Sequence, residues 1–249
     1  MSTLTVTFLG SGDAFGSGGR LQASIYAARE QGGAFLIDCG CTVMIGLRRL
    51  GLDPNEITTI FISHLHGDHF GGLVFFILDA QLVSKRTRSL KIITPPGGRE
   101  KVTAMMDILF PGSAASKKPF NVQIEEIFSG LPYHEDGFIT SAHPVNHSGL
   151  DALALRIEVD GKIIAYSGDA EWTDSLIACA KDADLFVVEA YSLNRKIKFH
   201  LDLADLRENT SKINAKQYIL THMSKEVLDL PEDEFRGCVR AFDGLSVQL

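Results

Sequence analysis

The short segment from residue 64 to residue 69 constrains this chain more than any other part of its sequence. It contains four side chains that can bind a metal ion: His64, His66, Asp68 and His69. An apolar run at 60–62 precedes it, and a second apolar run follows Gly71. Runs of this kind are typical of buried strands and helices, so we place the four side chains where a strand ends and a helix begins.

The spacing of these side chains indicates two separate points of attachment. His64 and His66 alternate along an extended segment, so both can face one cavity. Asp68 and His69 follow the turn at Gly67, which can direct them to a second point a few ångströms away. Imidazole and carboxylate together suit a borderline ion such as Zn²⁺, with Mn²⁺ or iron as alternatives.

Three later residues can complete such a site, and each also comes at the end of an apolar strand: His147, Asp169 and His222. Proteins with mixed sheets commonly place their chemistry at strand ends. A hydroxide held by two ions is a nucleophile at neutral pH, because coordination lowers the pKa of bound water. The pattern therefore predicts hydrolysis.

Length and composition set the broad class. The chain has 249 residues, 45% of them hydrophobic, which fits one large globular domain or two closely merged ones. The four cysteines are scattered, so they form no disulfide framework and indicate a reducing compartment. The sequence has no signal peptide or membrane-length apolar run, and we predict a cytoplasmic protein without membrane contact.

The formal net charge of −7 argues against a broad nucleic-acid-binding surface. We expect the local basic clusters to be solvated surface. They comprise Lys85, Arg86, Arg88 and Lys91; Lys117 and Lys118; and Arg195, Lys196 and Lys198. The glycine-rich segment 10–19 lacks the features of a phosphate-binding loop. It is either a flexible loop or a close backbone approach to a buried site.

Hydrophobic periodicity predicts a mixture of strands and helices in each half of the chain. Strands are predicted at 4–9, 23–29, 33–38, 90–94, 121–128, 138–145, 152–159, 162–167, 184–189 and 216–221. Helices are predicted at 42–51, 69–83, 97–110, 172–181 and 202–213. Strands gather before helices in each half, which suggests two mixed sheets packed face to face with helices outside.

The ligand residues carry a clear resemblance. The segment His64-x-His66-x-Asp68-His69, followed by His147, Asp169 and His222, resembles the five ordered ligand motifs of the metallo-β-lactamase superfamily, from about residue 10 to residue 222. Asp38 also fits the family's aspartate at a strand end. The resemblance implies an α/β (α+β) fold, a four-layer αββα sandwich forming one domain over residues 1–249. It also implies two metal ions.

The same resemblance assigns the ligands. By motif position, His64, His66 and His147 would hold the first ion. Asp68, His69 and His222 would hold the second, with Asp169 bridging the two.

Two further features indicate a branch of the superfamily. Asp169 stands where zinc β-lactamases resemble one another in having a cysteine. Glu189-Ala190 and His200 resemble the ribonuclease Z branch, in which a glutamate holds a histidine beside the metals. Such a histidine could protonate a leaving oxygen, with Glu189 fixing its tautomer and raising its pKa. The candidate catalytic residues are therefore Asp68, Glu189 and His200.

Only 21 residues separate His147 from Asp169. Enzymes of this branch that process transfer RNA resemble each other in carrying a long arm there, so the chain looks closer to the cyclic phosphodiesterase-like members that lack it. We predict a hydrolase of small or cyclic phosphodiesters, and the resemblance implies a homodimer. Nucleic acid is a less favoured substrate but stays open.

Three alternatives remain open at this point. One is a ribonuclease Z-like RNA 3′-endonuclease. Another is a hydrolase of other esters, lactones or thioesters, since neither fold nor metals fix the electrophile. The third is a metal-binding sensor or interaction module without catalysis.

Overall fold

Two mixed sheets form the centre of the protein. The computed structural model describes residues 3–135, 137–149, 151–235 and 237–249. Its first sheet comprises β1 (Leu4–Gly10), β2 (Ser24–Arg29), β3 (Ala34–Ile37), β4 (Ile57–Phe61), β5 (Leu90–Thr94), β6 (Val122–Glu126) and β14 (Ser246–Gln248). The strand order is β14-β1-β2-β3-β4-β5-β6. Pairing is antiparallel from β14 to β3 and parallel from β3 to β6.

The second sheet repeats this plan. It comprises β7 (Tyr133–Glu135), β8 (Phe138–Pro144), β9 (Leu153–Val159), β10 (Lys162–Tyr166), β11 (Leu185–Glu189), β12 (Tyr218–Thr221) and β13 (Val239–Arg240). The order is β13-β12-β11-β10-β9-β8-β7, antiparallel from β7 to β10 and parallel from β10 to β13. The candidate ligands follow β4 in the first sheet and β8, β10 and β12 in the second.

Helices cover the outer face of each sheet. They are α1 (Val43–Arg49), α2 (Gly67–Phe70), α3 (Gly72–Leu82), α4 (Gly98–Leu109), α5 (Ser175–Ala180), α6 (Leu203–Asn209) and α7 (Lys225–Leu228). One apolar cluster joins α1, α3 and α4 to the first sheet, and a second joins α5, α6 and α7 to the other sheet. The predicted four-layer αββα arrangement is confirmed.

Side chains from both sheets meet in a shared central core. Alternate residues of β1, such as Val6 and Phe8, pack in one cluster with Leu155 and Val187 of the second sheet. Phe138 of β8 lies 5.1 Å from Phe35 and 5.2 Å from Phe61 between ring centroids, in edge-on geometry. Such aromatic pairs add to the burial of apolar area, which stabilises the face-to-face packing.

The element boundaries differ from the sequence prediction in informative places. The helix predicted over 69–83 begins two residues earlier and is divided into α2 and α3 at Gly71. The helix predicted over 202–213 is α6 followed by a 3₁₀ turn at Thr210–Lys212. The edge strands β7, β13 and β14 were not predicted, because two or three residues are too few to show a period.

The prediction that all basic clusters are solvated was wrong for Arg86 and Lys91. Arg86 is 1% exposed, and its guanidinium donates to backbone carbonyls, including those of Ile57 at 2.6 Å and Ser89 at 2.9 Å. Lys91 is 8% exposed and pairs with Glu135. Internal carbonyls and a carboxylate replace water around these cations, which makes burial possible.

The loop after α4 packs on α3: Ser116 Oγ and the carbonyl of Lys117 both bond to Gln81. No helix in the described ranges is long and apolar enough to cross a membrane.

Candidate metal centre

The end of β4 supplies the first four candidate ligands. His64 and His69 are 1% and 0% exposed, and His66 is half-buried. His66 has extended backbone angles directly before α2, whereas Asp68 and His69 lie in the short helix itself. This change of backbone directs the two pairs to different points, as their spacing predicted.

Three histidines form the first group of ligand atoms. His64, His66 and His147 each offer a ring nitrogen, and these atoms lie within 4.8 Å of one another. His66 Nδ1 lies 2.9 Å from His147 Nε2. Asp169 Oδ2 lies 4.0 Å from His64 Nε2 and 3.9 Å from His147 Nε2. Asp169 therefore borders this group.

The second group combines two carboxylates with two histidines: Asp68, His69, Asp169 and His222. His222 Nε2 lies 3.3 Å from Asp68 Oδ2 and 3.2 Å from Asp169 Oδ2. His69 Nε2 lies 3.2 Å from Asp68 Oδ2 and 3.3 Å from Asp169 Oδ1. Asp169 thus belongs to the second group and borders the first, so it lies between the two points that the residues define.

Buried polar atoms without hydrogen-bond partners show that these residues fit a cation. His64 Nε2, His69 Nε2 and Asp169 Oδ1 are fully enclosed, and despite their short distances to neighbouring ligand atoms none of them makes a hydrogen bond of normal geometry. Buried polar groups are almost always paired, so three orphaned atoms in one cluster call for a group that can accept their lone pairs. Imidazole nitrogen and carboxylate oxygen are a suitable donor set for a divalent ion such as Zn²⁺.

The pKa values of the clustered histidines also indicate that this position requires positive charge. Burial lowers the pKa of His64 well below its ordinary value, and neighbouring His69 adds to this effect. Burial opposes protonation of His222 too, but Asp169, Asp68 and Glu189 raise its pKa to about 10. In the metal-free protein, protons on histidine thus balance the carboxylates. A divalent cation would displace those protons.

Asp38 binds the outer ring nitrogen of His69, a member of the second group. Its Oδ2 accepts from His69 Nδ1 at 2.6 Å and from Ser63 Oγ at 2.8 Å, and its Oδ1 accepts from Ser63 N–H at 2.8 Å. Asp38 has φ of 59°, a left-handed conformation that few non-glycine residues adopt. A partner on Nδ1 fixes the tautomer of a histidine and leaves Nε2 free for a metal ion.

Two glycines allow α3 to pack closely against the segment that follows β3 and contains Asp38. The N–H of Gly72 donates to the carbonyl of Cys39 at 2.8 Å. A Cβ on Gly72 would lie 2.1 Å from the carbonyl oxygen of Gly40, where no side chain fits. The Gly71-Gly72 pair after the ligand segment therefore has a packing role.

Glu189 and His200 lie in direct contact beside the second group. Glu189 Oε1 lies 2.5 Å from His200 Nδ1 and 3.4 Å from His222 Nδ1. Its Oε2 accepts from Ala170 N–H at 2.8 Å and from Leu201 N–H at 3.2 Å. Burial opposes protonation of His200, but Glu189 raises its pKa above the ordinary value. The histidine is thus oriented and biased towards its charged form.

The glycine-rich segment makes a close approach to the site. The carbonyl of Ser11 accepts from His222 N–H at 3.2 Å and from Thr221 Oγ1 at 3.3 Å. Asp243 Oδ1 accepts from Ser11 N–H at 3.0 Å and from Ser11 Oγ at 2.9 Å. The segment therefore supports the backbone of His222, which has φ of 55°.

Sequence reasoning missed several supporting residues. Ser63 adjoins the ligand segment and could have been noticed there. Asp243 is 232 positions from Ser11, and nothing in the sequence signals that contact. His143 was predicted to be structural. It lies on β8, belongs to none of the ligand groups found among the described residues, and has its pKa lowered by burial.

A cavity of about 500 Å³ adjoins His200. Its lining includes Trp172, Ile197 and Lys198. Two acidic residues of its wall are already engaged: Glu171 accepts from Phe199 N–H at 2.7 Å, and Asp205 pairs with Lys196. Lys198 is exposed and contacts the ring of Phe199 at 4.5 Å. The cavity thus offers an aromatic surface and a cation.

Comparison with known proteins agrees with this architecture. The model of the family described as Anti-Pycsar protein Apyc1 matches residues 4–241. The protein named ribonuclease Z from Methanothermobacter thermautotrophicus is 27% identical over 273 aligned residues, covering 89% of this chain and 87% of the relative. The ribonuclease Z of a Mycobacterium species (strain KMS) is 25% identical, covering 94% and 89%.

Solved structures share the fold. The metallo-β-lactamase fold protein YhfI from Bacillus subtilis superposes with a TM-score of 0.79 at 19% identity and covers 99% of each chain. The short form of human tRNase Z gives 0.79 at 24% identity, with 98% of each chain covered. A diphosphatase from the PhnP family gives 0.78 at 20% identity, covering 100% of this chain and 98% of that one. The chain therefore belongs to the Anti-Pycsar protein Apyc1 family, and it is a ribonuclease Z-like, metal-dependent hydrolase of the metallo-β-lactamase superfamily.

Proposed function

We propose that the protein is a dinuclear metal-dependent phosphodiesterase that acts on small or cyclic phosphodiesters. One observation carries the proposal: a histidine held by a buried glutamate lies beside two ligand groups, and Asp169 of the second group borders the first. A phosphodiester needs both electrophilic activation and a proton for its leaving oxygen. This arrangement provides candidates for both tasks.

The ligand groups define the proposed metal sites. His64, His66 and His147 would hold one ion; Asp68, His69 and His222 would hold the other; Asp169 would bridge them. Zn²⁺ suits these donors best, with Mn²⁺ and iron as alternatives. Two bound ions would supply Lewis acidity and activate water for attack on phosphorus.

His200 is the proposed proton donor. Its Nδ1 is engaged by Glu189, so Nε2 is the nitrogen that can deliver a proton to a leaving alkoxide. The contact with Glu189 raises the pKa of His200, which favours the protonated form of the ring. Asp68 is proposed to assist by offsetting charge in the second group, where His222 and His69 contact it.

The cavity beside His200 supports a small substrate. Its volume of about 500 Å³ lies in the range of ordinary small-molecule sites. Among the residues described between His147 and Asp169, the hairpin of β9 and β10 is the only regular secondary structure. Lys198 is available to an anionic substrate, whereas Arg195 and Lys196 are engaged by Glu226 and by Asp202 and Asp205.

A substrate panel tests the proposal. Purified protein, stripped of metal and reconstituted separately with Zn²⁺, Mn²⁺ and Fe²⁺, would be assayed on bis-p-nitrophenyl phosphate, a cyclic phosphodiester, a lactone and a thioester. We expect turnover of the diesters only, abolished by a chelator and restored by an ion. Preferential turnover of the lactone or thioester would contradict the proposal. Stoichiometric metal without hydrolysis of any ester would favour a sensor.

A ribonuclease Z-like RNA 3′-endonuclease is the second candidate, because the relatives named ribonuclease Z align over nearly their whole length. Cleavage of precursor transfer RNA by the purified chain would favour it. Absence of RNA binding at low salt would count against it, since phosphate contacts strengthen as salt falls.

We also propose a cytoplasmic homodimer. Support for association comes from exposed apolar side chains around α3 and the end of α4, including Val83 (66% exposed) and Ile108 (77%). Phe75, Leu82 and Phe110 line an adjoining cavity of about 840 Å³. Contiguous apolar surface of this kind commonly marks an interface. Reduced, scattered cysteines agree with a cytoplasmic location.

A further inference from the structure

Glu171 links two loops of the candidate metal centre, and no part of the proposed chemistry uses it. Its Oε1 accepts from the N–H of Phe199 at 2.7 Å. Its Oε2 accepts from Asn146 Nδ2 at 2.5 Å, and its own N–H donates to the carbonyl of Asn146 at 3.2 Å. One residue therefore binds both the segment that precedes His147 and the segment that precedes His200.

The peptide groups of Phe199 connect Glu171 to His147. The carbonyl of Phe199 accepts from His147 Nδ1 at 2.8 Å. This contact places the ring proton on Nδ1 and leaves Nε2 facing His66 Nδ1, 2.9 Å away. A partner on the outer nitrogen of a metal-binding histidine fixes its tautomer and ring orientation. The orientation of His147 thus depends on where the Phe199 carbonyl lies.

Phe199 needs such an anchor because its backbone is strained. Its φ is 73°, a left-handed conformation that is rare for a bulky aromatic residue. Strained backbone persists only when surrounding contacts determine it, and it clusters at functional sites. The carboxylate of Glu171 holds the N–H of the same residue whose carbonyl orients His147.

We propose that Glu171 is a positioning residue for the first ligand group and for His200. It acts through the Phe199 backbone on one side and through Asn146 on the other. This assignment rests on the proposed metal centre, because it takes His147 as a ligand. It concerns geometry rather than charge, since Glu171 contacts neutral amide donors.

Metal binding by stripped protein is the appropriate readout. Glu171→Ala and Glu171→Gln would be titrated with Co²⁺ against a chromophoric chelator, with occupancy of the two groups separated by their visible spectra. Loss of an outer partner typically costs 10–100-fold in metal affinity, so for Glu171→Ala we expect a loss of about tenfold, confined to the group of His64, His66 and His147. The group of Asp68, His69 and His222 should keep its affinity.

The glutamine variant distinguishes geometry from charge. Its carbonyl oxygen can accept from Phe199 N–H, and the side-chain amide of Asn146 can rotate to accept from its NH₂ group. We therefore expect the metal affinity of Glu171→Gln to lie within about threefold of that of the unchanged protein. This change is much smaller than the loss expected when an outer partner is missing. An equally large loss in Glu171→Gln would overturn the assignment.

Two controls complete the test. Glu158→Ala removes a carboxylate on β9 that accepts from Arg156 and should change neither group. Asn146→Ala alters an exposed side chain, so it should fold even where Glu171→Ala does not, and it should weaken the same group to a smaller degree.

Three further outcomes of the titration distinguish the positioning role from the proposed function. Equal weakening of both groups together with a lower melting temperature would show a general structural role and overturn the assignment. Unchanged affinity in Glu171→Ala, with two ions bound by the unchanged protein, would overturn it while leaving the proposed function intact. Absence of metal binding by the unchanged protein would contradict the proposed function itself.

Discussion

Three histidines of the candidate site are oriented by hydrogen-bond partners from other segments of the chain. Asp38, Glu189 and the carbonyl of Phe199 each occupy the outer nitrogen of one candidate site histidine: His69, His200 and His147 respectively. These contacts orient the other ring nitrogen of each histidine towards the candidate metal centre. At the scale of residues, we expect metal binding in the proposed centre to depend on these outer contacts as well as on the ligands.

Replacement of His200 tests the proposed proton transfer. His200→Ala should lower turnover of a diester with an alkoxide leaving group by about 10²–10⁴-fold, the usual contribution of general acid catalysis. Turnover of bis-p-nitrophenyl phosphate should change far less, because p-nitrophenolate leaves without a proton. Metal content should be measured in parallel.

His143→Ala is the matched control, since this histidine lies outside the ligand groups. Equal loss on both substrates in His200→Ala would contradict the role of proton donor.

Arg86 provides a prediction about stability. Its side chain is buried without a carboxylate partner among the described residues, and burial lowers its pKa to about 10, so it remains charged at neutral pH. Arg86→Leu would leave buried carbonyls, including those of Ile57 and Pro54, without this donor. We expect the free energy of unfolding to fall by about 3–5 kcal/mol. Urea unfolding measures it.

Arg88→Leu serves as the comparison, because Arg88 is exposed and its nearest carboxylate oxygen, on Glu56, lies 3.9 Å away. Its effect should stay below about 1 kcal/mol. Similar losses in the two variants would mean that the backbone carbonyls around Arg86 can be satisfied by water.

At the scale of elements, an ion pair between Arg29 and Asp160 joins the ends of strands from the two sheets. Arg29 of β2 donates through Nε and Nη2 to Asp160, at 2.8 and 2.7 Å, in the turn between β9 and β10. The guanidinium also lies 5.1 Å from the ring centroid of Phe138. A bidentate pair of this kind fixes the orientation of the β9–β10 hairpin relative to the first sheet.

The pair should make stability depend on pH. The hydrogen bond from Arg29 lowers the pKa of Asp160 in the folded protein. Because the folded value lies below the unfolded one, the stabilisation is present above about pH 4 and disappears as the pH falls through the folded pKa. Asp160→Asn should cost about 1 kcal/mol at pH 7, measured by urea unfolding of metal-free protein.

The difference between Asp160→Asn and the unchanged protein should shrink towards zero as the pH falls through the folded pKa of Asp160. Asp229→Asn, which removes an exposed pair with Lys225, should show little effect at either pH. A difference in Asp160→Asn that is constant with pH would point to the turn conformation instead of the ion pair.

The elements also show what a sequence can and cannot predict. Strands β4, β8, β10 and β12 can be recognised from their residue pattern, and the candidate ligands follow shortly after them. The structure brings the predicted ligand residues together because the motif and the strand ends coincide. Contacts such as that of Asp243 with Ser11 join distant segments through the folded backbone, and no local pattern encodes them. The burial of Arg86 depends likewise on carbonyls that only the fold brings together.

For the whole molecule, we propose that residues 1–249 form one domain, because the central core contains side chains from both sheets. Neither sheet could keep its inner face buried alone. Such an arrangement favours loss of both sheets together on unfolding.

The proposed dimer yields a prediction at this scale. The double variant Val83→Asp, Ile108→Asp places charge in the exposed apolar surface around α3 and α4. We expect it to shift the protein from dimer to monomer, because burying an unpaired carboxylate opposes association. Light scattering coupled to size-exclusion chromatography would measure the mass.

Leu131→Asp is a suitable control, since this residue is 68% exposed in the loop between β6 and β7. A double variant that remains dimeric would place the interface on another surface, and an unchanged protein that is already monomeric would contradict the dimer.

Trp172, in the wall of the cavity beside His200, is the only tryptophan of the chain. All indole emission therefore arises at this cavity, so the protein carries its own optical reporter. Occupation of the cavity by a small molecule, or loss of order in the loop of His200, should register as a change in emission intensity or wavelength. Ligand screening can accordingly precede any knowledge of the reaction product, without a label or a coupled assay.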